Sequence, residues 1–375
     1  MKKIKGRKRM KNKILKILIA ILIIIVIIVL SIYYFNKNKK QKSTNNTEFT
    51  TDINIVSSLE DKITENTAWC GTFNLIWNDL KNDLAKQDII FTPQLEIVEN
   101  LNKGTFNTSS LSEESYYKIY GNPTLELKEQ IEKAIKEKFN ETSDILGDFN
   151  WNDKNSEDYF LYSMLKKEFE FPKVFSKLDN SKFGNYENVK YFGINKSTDK
   201  QVREQVQVLY YNSKEDFAIK LITKSNDEVI ISRGNNKDTF LDIYNEIQSN
   251  SKNYNGNKEL GEKDNVQIPN IDLNLKNEFR ELENKPFLFS NGKEYEIEKA
   301  IQTIKFSLDE KGGKIKSEAG MMLKQTSMAP SEKIRNFIVD DTFCIFLKEK
   351  DKDLPYFAAE ISDISKIQKE ATRME

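Results

Sequence analysis

The chain has 375 residues, with 58 basic and 58 acidic side chains and no histidine. Without imidazole there is no Ser-His-Asp or Cys-His catalysis and no ordinary His-containing zinc site, and two distant cysteines cannot supply a four-thiolate site. Neither common phosphate-cradling glycine spacing occurs, so nucleotide chemistry has no support in the sequence.

Met1–Lys16 carries nine Lys or Arg and no carboxylate, and Ile17–Phe35 follows as nineteen residues without a charge. At about 1.5 Å per residue a helix of that length spans about 28 Å, close to the ~30 Å core of a bilayer. A cleaved signal peptide has a shorter apolar run ending at small residues. Here the run leaves through Ser31-Ile32-Tyr33-Tyr34-Phe35, which suits an interfacial aromatic belt. Nine basic residues precede it and four follow (Lys37, Lys39, Lys40, Lys42), so the positive-inside bias keeps the N-terminus cytoplasmic.

The expectation is a single-pass signal anchor in the cell membrane, with residues 1–16 as a cytoplasmic tail and 17–35 as the span in contact with lipid. Residues 36–60 then form a juxtamembrane linker, 61–368 an extracellular domain and 369–375 a C-terminal tail. Beyond Lys42 the chain holds 45 basic against 58 acidic residues, a net charge of −13 that disfavours nucleic acid as a partner. The abundance of Lys, Asn and Ile fits an AT-rich genome, which points to a low-GC bacterium and a cell-envelope protein.

Apolar residues at 73, 76, 77, 80 and 84 predict an amphipathic helix over Phe73–Leu84. A second helix is expected over Pro93–Leu101 with Thr92 as its cap, and a third over Leu125–Phe139. Asp148, Asn150 and Asn152 imitate the start of a calcium loop, but Asp153 stands where the turn needs Gly and Tyr159 where the bidentate Glu belongs. The segment therefore reads as a polar turn.

From Asp158 the composition becomes β-branched and aromatic. Asp158–Phe171, Gln205–Thr223 and Val229–Ile231 read as strands, Thr239–Gln248 as a helix and Ser249–Asn265 as a polar loop. Val266–Leu275 reads as a strand interrupted by Pro269, and Thr303–Leu308, Phe337–Phe346 and Tyr356–Ile361 as further strands. Helices followed by mostly antiparallel strands, with no dividing linker, predict one α+β domain of helices packed on large sheets. Cys70 and Cys344 are compatible with a disulfide or with two buried thiols.

Two C-terminal segments together resemble the serpin family. Phe306–Met322, FSLDEKGGKIKSEAGMM, matches a strand ending in an acidic pair and a glycine (Asp309, Glu310, Gly312) that opens into a reactive-loop hinge. Phe337–Ile361 resembles the family's C-terminal hairpin. Fainter likenesses lie in order upstream: Phe73–Leu84 followed by Ile90-Phe91-Thr92-Pro93, then Tyr159–Phe175, Val206–Ile247 and Val266–Leu275.

The resemblance implies a hinge at Glu310, Gly312, Gly313, Ile315, Ser317 and Ala319, with protease bait positions at Lys324, Gln325, Thr326 and Ser327. It also implies no catalytic residue, no cofactor and no metal, and a protease as partner. The chain departs from the family in its shorter helical region, its longer segment between hinge and hairpin, and its lysines in the hinge.

An inserted strand alternates faces. Gly313, Ile315, Ser317, Ala319, Met321 and Leu323 make one uncharged face, and Lys314, Lys316, Glu318 and Lys324 fall on the other. The first reading is thus a membrane-anchored, extracytoplasmic serpin-like protein, a candidate protease inhibitor acting through an exposed loop. A non-inhibitory binding or structural module, and an unrelated α+β envelope protein, stay open beside it.

Overall fold

In the computed structural model the described residues are 49–50, 52–151, 155–195, 198, 200–313 and 334–374. The helices follow the apolar stripes. α1 (Thr72–Asp79) buries Phe73, Leu75 and Trp77 and continues as a wider π-type turn over Leu80–Ala85, stopped by Lys86 in the left-handed conformation. α2 (Glu96–Asn102) starts later than Pro93, because the Phe91 N–H donates to the Gln94 side chain and holds residues 91–94 in a turn.

α3 (Leu125–Phe139) is capped by the Thr124 hydroxyl, which accepts from the Leu127 N–H, and is stopped by left-handed Asn140. α4 (Lys200–Arg203) is one turn, and α5 (Phe240–Asn253) is capped by Thr239 and runs beyond Gln248.

The strands, in chain order, begin with β1 (Asn54–Ile55), β2 (Thr67–Cys70), β3 (Tyr116–Gly121), β4 (Phe160–Leu165) and β5 (Phe169–Glu170). Next come β6 (Ser176–Phe183), β7 (Tyr186–Ile194), β8 (Val206–Tyr211), β9 (Phe217–Ile222) and β10 (Asp227–Arg233). β11 (Asn265–Pro269), β12 (Ile271–Glu278), β13 (Pro286–Leu288), β14 (Glu294–Glu296) and β15 (Ile301–Asp309) follow. The last are β16 (Gly312–Gly313), β17 (Asn336–Ile338), β18 (Phe343–Glu349), β19 (Phe357–Ile361) and β20 (Thr372–Arg373).

A seven-stranded sheet, β1-β2-β19-β18-β10-β9-β8, forms the rear wall. Five strands, β17-β11-β7-β20 with β6 also on β7, form a second sheet, and β12-β15-β16-β5 a third. Two-stranded sheets β3-β4 and β13-β14 complete the set. Pairing is antiparallel except for β1-β2 and β11-β17. One large core runs between the sheets, and a satellite cluster under α3 gathers Leu127, Ile131, Ile135, Leu146, Trp151, Phe160 and Tyr162. The α+β expectation of helices on large, mostly antiparallel sheets describes this architecture.

Several boundaries differ from the sequence reading. The stretch 36–60 is not linker throughout: Thr50 donates its N–H to the Asn274 carbonyl at 2.8 Å, and Ile53, Ile55, Val56 and Leu59 are buried. Nor is 369–375 a free tail, since β20 pairs with β7 and Lys190 holds Glu370 at 2.6 Å.

Val266–Leu275 becomes two strands in two different sheets, as does Phe337–Phe346. The β6–β7 hairpin was not expected, because SKLDNSKF has no apolar alternation. Cys70 and Cys344 are both free and buried. They flank β19 opposite Phe357 and Glu360, so they stand about 10 Å apart along the strand and about 9.5 Å across it, beyond disulfide reach. The segment Ile17–Phe35 lies outside the described residues; among those that are described, no helix is long and apolar enough to cross a membrane.

Candidate functional site: a two-glycine strand and an open cleft

β15 ends at Asp309, whose carboxylate accepts the Lys311 N–H and closes a tight turn. The chain doubles back as β16, where Gly313 lies opposite Leu308 and Gly312 opposite Asp309. On its other edge β16 pairs with β5, Gly312 opposite Glu170 and Gly313 opposite Phe169. β15 and β5 are therefore parallel neighbours about 9.5 Å apart with one short strand between them. Two further bonds secure the turn: the Phe171 N–H donates to the Lys311 carbonyl and the Phe175 N–H to the Glu310 carbonyl, at 2.9 and 2.8 Å. Glu310 is buried and pairs with Lys177 Nζ at 3.3 Å.

Both glycines are required by this geometry. Gly312 has φ +145°, where side-chain residues are strained, and a Cβ there would strike the Phe169 carbonyl. A Cβ on Gly313 would come within 2.6 Å of the Phe169 ring. Phe169 in turn packs on Phe171, and Phe171 on Phe175, so an aromatic block backs the hinge.

The facing parts of β4 and β15 border an open cleft of about 1000 Å³. One wall is Tyr159–Ser163, the other Ile297–Thr303, and Phe73, Ile76 and Trp77 of α1 make up the floor. β4 pairs only with β3, and β15 pairs with β12 and, at its far end, with β16. Among the described residues no strand covers their inner edges, which leaves backbone donors and acceptors facing the gap, an arrangement that invites another strand.

Thr72 links both walls to the floor: Ser163 Oγ donates to its carbonyl at 2.7 Å, and Gln302 Nε2 donates to its hydroxyl at 2.8 Å. The buried Gln302 Oε1 has no hydrogen-bond partner. Burial pushes the Tyr162 phenol up to about 12, so this wall stays neutral at ordinary pH. No group of three or more potential metal ligands occurs among the described residues. The chemistry the cleft supports is strand addition through backbone hydrogen bonds.

Of the residues singled out in the sequence, Glu310, Gly312 and Gly313 come together at the turn after β15 and in β16, beside β5; none of the three lines the cleft. Ile315, Ser317, Ala319, Lys324, Gln325, Thr326 and Ser327 lie outside the described residues. Sequence reading missed Thr72, Ser163 and Gln302, which are ordinary polar residues until three distant segments meet. It also passed over Lys167, which lies between Lys166 and Glu168 and is not set apart from them by the sequence.

No family model matches the sequence, and no curated protein matches it either. Among solved structures, thyroxine-binding globulin in complex with thyroxine is 12% identical, covering 68% of this chain and 78% of that one, with a TM-score of 0.40. Serpin48 of the insect Tenebrio molitor is 16% identical over 68% of this chain and 78% of its own, with a TM-score of 0.37. Human glycosylated kallistatin is 13% identical over 73% and 71%, with a TM-score of 0.38. These matches are all serpins. Likenesses of this size carry no argument about activity. The likeness to these serpins is one of fold alone, and in this chain the two-glycine strand β16 lies between β15 and β5.

Proposed function

We propose that this chain is a membrane-anchored, extracytoplasmic serpin-like protease inhibitor that offers the segment following Gly313 as bait. The observation that supports it is β16: two glycines form a short strand held in the one-strand gap between β15 and β5, and among the described residues no strand pairs with the rest of that edge of β15. The attacking protease supplies the nucleophile, so the inhibitor needs no catalytic group of its own. Cleavage near Lys324–Ser327 would free the segment to extend β16 down the cleft. By strand alternation the uncharged set Ile315, Ser317 and Ala319 would share the face of Gly313, which is buried. The anchor at Ile17–Phe35 would hold the domain at the outer membrane surface.

A second reading, a non-inhibitory binding module, draws support from Lys314 and Lys316, charges that an inserting hinge ordinarily lacks. Nicking the protein once within residues 321–333 and comparing its melting with that of the uncut chain separates the two. Eight or more newly paired residues at about 0.5 kcal/mol or more each should raise Tm by about 6 °C or more. An unchanged or lower Tm removes the inhibitory mechanism and leaves the module.

A further inference from the structure

Between the cleft wall β4 and the hinge partner β5 lie Lys166, Lys167 and Glu168. Lys166 turns outward to Glu141 at 2.6 Å and Glu168 at 3.2 Å. Lys167 turns the other way, is 7% exposed, and ends on the rear sheet. Its Nζ lies 2.5 Å from Asp227 Oδ1 on β10 and 2.6 Å from Glu349 Oε1 on β18, two residues that are direct cross-strand partners.

Each carboxylate has further donors. Ser225 Oγ and the Tyr356 hydroxyl reach Asp227 at 2.8 and 3.0 Å. The Ser112 N–H and Ser115 Oγ reach Glu349 at 3.0 Å, and the Ser112 hydroxyl donates to it as well. The Tyr356 ring sits 5.0 Å from Lys167 Nζ, and buried Cys70 lies near that tyrosine. One ammonium and two carboxylates are thus buried together at a point where an apolar side chain would pack at less electrostatic cost.

We propose that Lys167 is a positioning residue for the hinge: its tie to β10 and β18 holds β5 in place, and through β5 holds β16 between β5 and β15. The inference rests on the reading of Gly312–Gly313 as a hinge. Lys167 touches neither glycine. It fixes the short strand to which both are paired, so releasing it lowers the barrier to hinge movement without dismantling the rear sheet, whose strands carry their own ladders.

The cluster also has a pH signature. Burial alone would raise the Glu349 carboxyl, but the Lys167 ammonium and the Ser112 and Ser115 donors outweigh it and hold the group below its usual range. Its contribution is complete above the unfolded carboxylate pKa, near 4.3, and is lost as pH falls through the lowered value. Without the ammonium, two buried carboxylates face each other and one takes up a proton at higher pH.

The test is amide hydrogen exchange on the full chain in detergent across pH, for wild type, Lys167→Met and Lys167→Arg. In Lys167→Met, amides at 169–171 and 308–313 should exchange about tenfold faster or more while β8 and β9 keep their protection. The midpoint for acid loss of hinge protection should move toward neutral, and Lys167→Arg should stay near wild type on both readouts. Uniform acceleration throughout the domain, unchanged hinge amides or an unmoved midpoint would each overturn the proposal. If Lys167→Met frees the hinge amides but the nicked wild type gains no Tm, the tie stands and the inhibitory reading falls.

Discussion

Glu360, on β19, faces Cys344 on β18, with the thiol 3.8 Å from its Oε2. Burial pushes the Glu360 carboxyl above its ordinary range, and burial beside that carboxylate pushes the thiol up as well. A group whose folded pKa is raised gives its full stabilisation below the unfolded value and loses it as pH rises through the folded one. Glu360→Gln should therefore match wild type in urea unfolding at pH 4 and become progressively the more stable protein toward pH 7. Parallel profiles would show that the carboxyl titrates normally. The same scale separates readable from unreadable site residues. Gly312 and Gly313 were singled out through the acidic pair and glycine that carry the serpin resemblance, although what forbids a side chain there is Phe169 on β5, far away in sequence. Lys167 finds Asp227 sixty residues away, and nothing near it in sequence announces the meeting.

At the scale of elements, α3 was legible from end to end because its stripe, its Thr124 cap and its Asn140 stop are all encoded within the helix and its flanks. Its packing was not, since it covers the β3–β4 pair and a small cluster of its own rather than the main core. Ile131 is fully buried in that cluster, so Ile131→Ala should cost about 2–5 kcal/mol in chemical denaturation. The loss should fall first on α3, β3 and β4, visible as faster amide exchange there than in β9 or β10; a uniform loss would mean that the satellite cluster melts with the rest. Val266–Leu275 shows the limit of periodicity. Apolar positions run 266, 268, then 271, 273, 275, and the slip of one between 268 and 271 is where the chain leaves the five-stranded sheet for the hinge sheet. The hairpin β6–β7, mostly exposed along β6, left no such mark.

For the whole molecule, the charge-free run Ile17–Phe35 and the basic start lead to the expectation that the full chain stays with membranes through an alkaline wash and keeps its N-terminus. A mature protein beginning between residues 32 and 50 would mean a cleaved signal instead. The sequence alone was enough for the anchor expectation, the exclusion of imidazole chemistry and the α+β class. Each depends on composition or on spacing within one or two turns of chain. Tertiary structure alone decided that β16 lies between β15 and β5, that Thr72 joins Ser163 to Gln302, and that Lys167 reaches two strands of the rear sheet. These contacts join segments tens to hundreds of residues apart, and their partners are chosen by sheet order, which local periodicity does not encode.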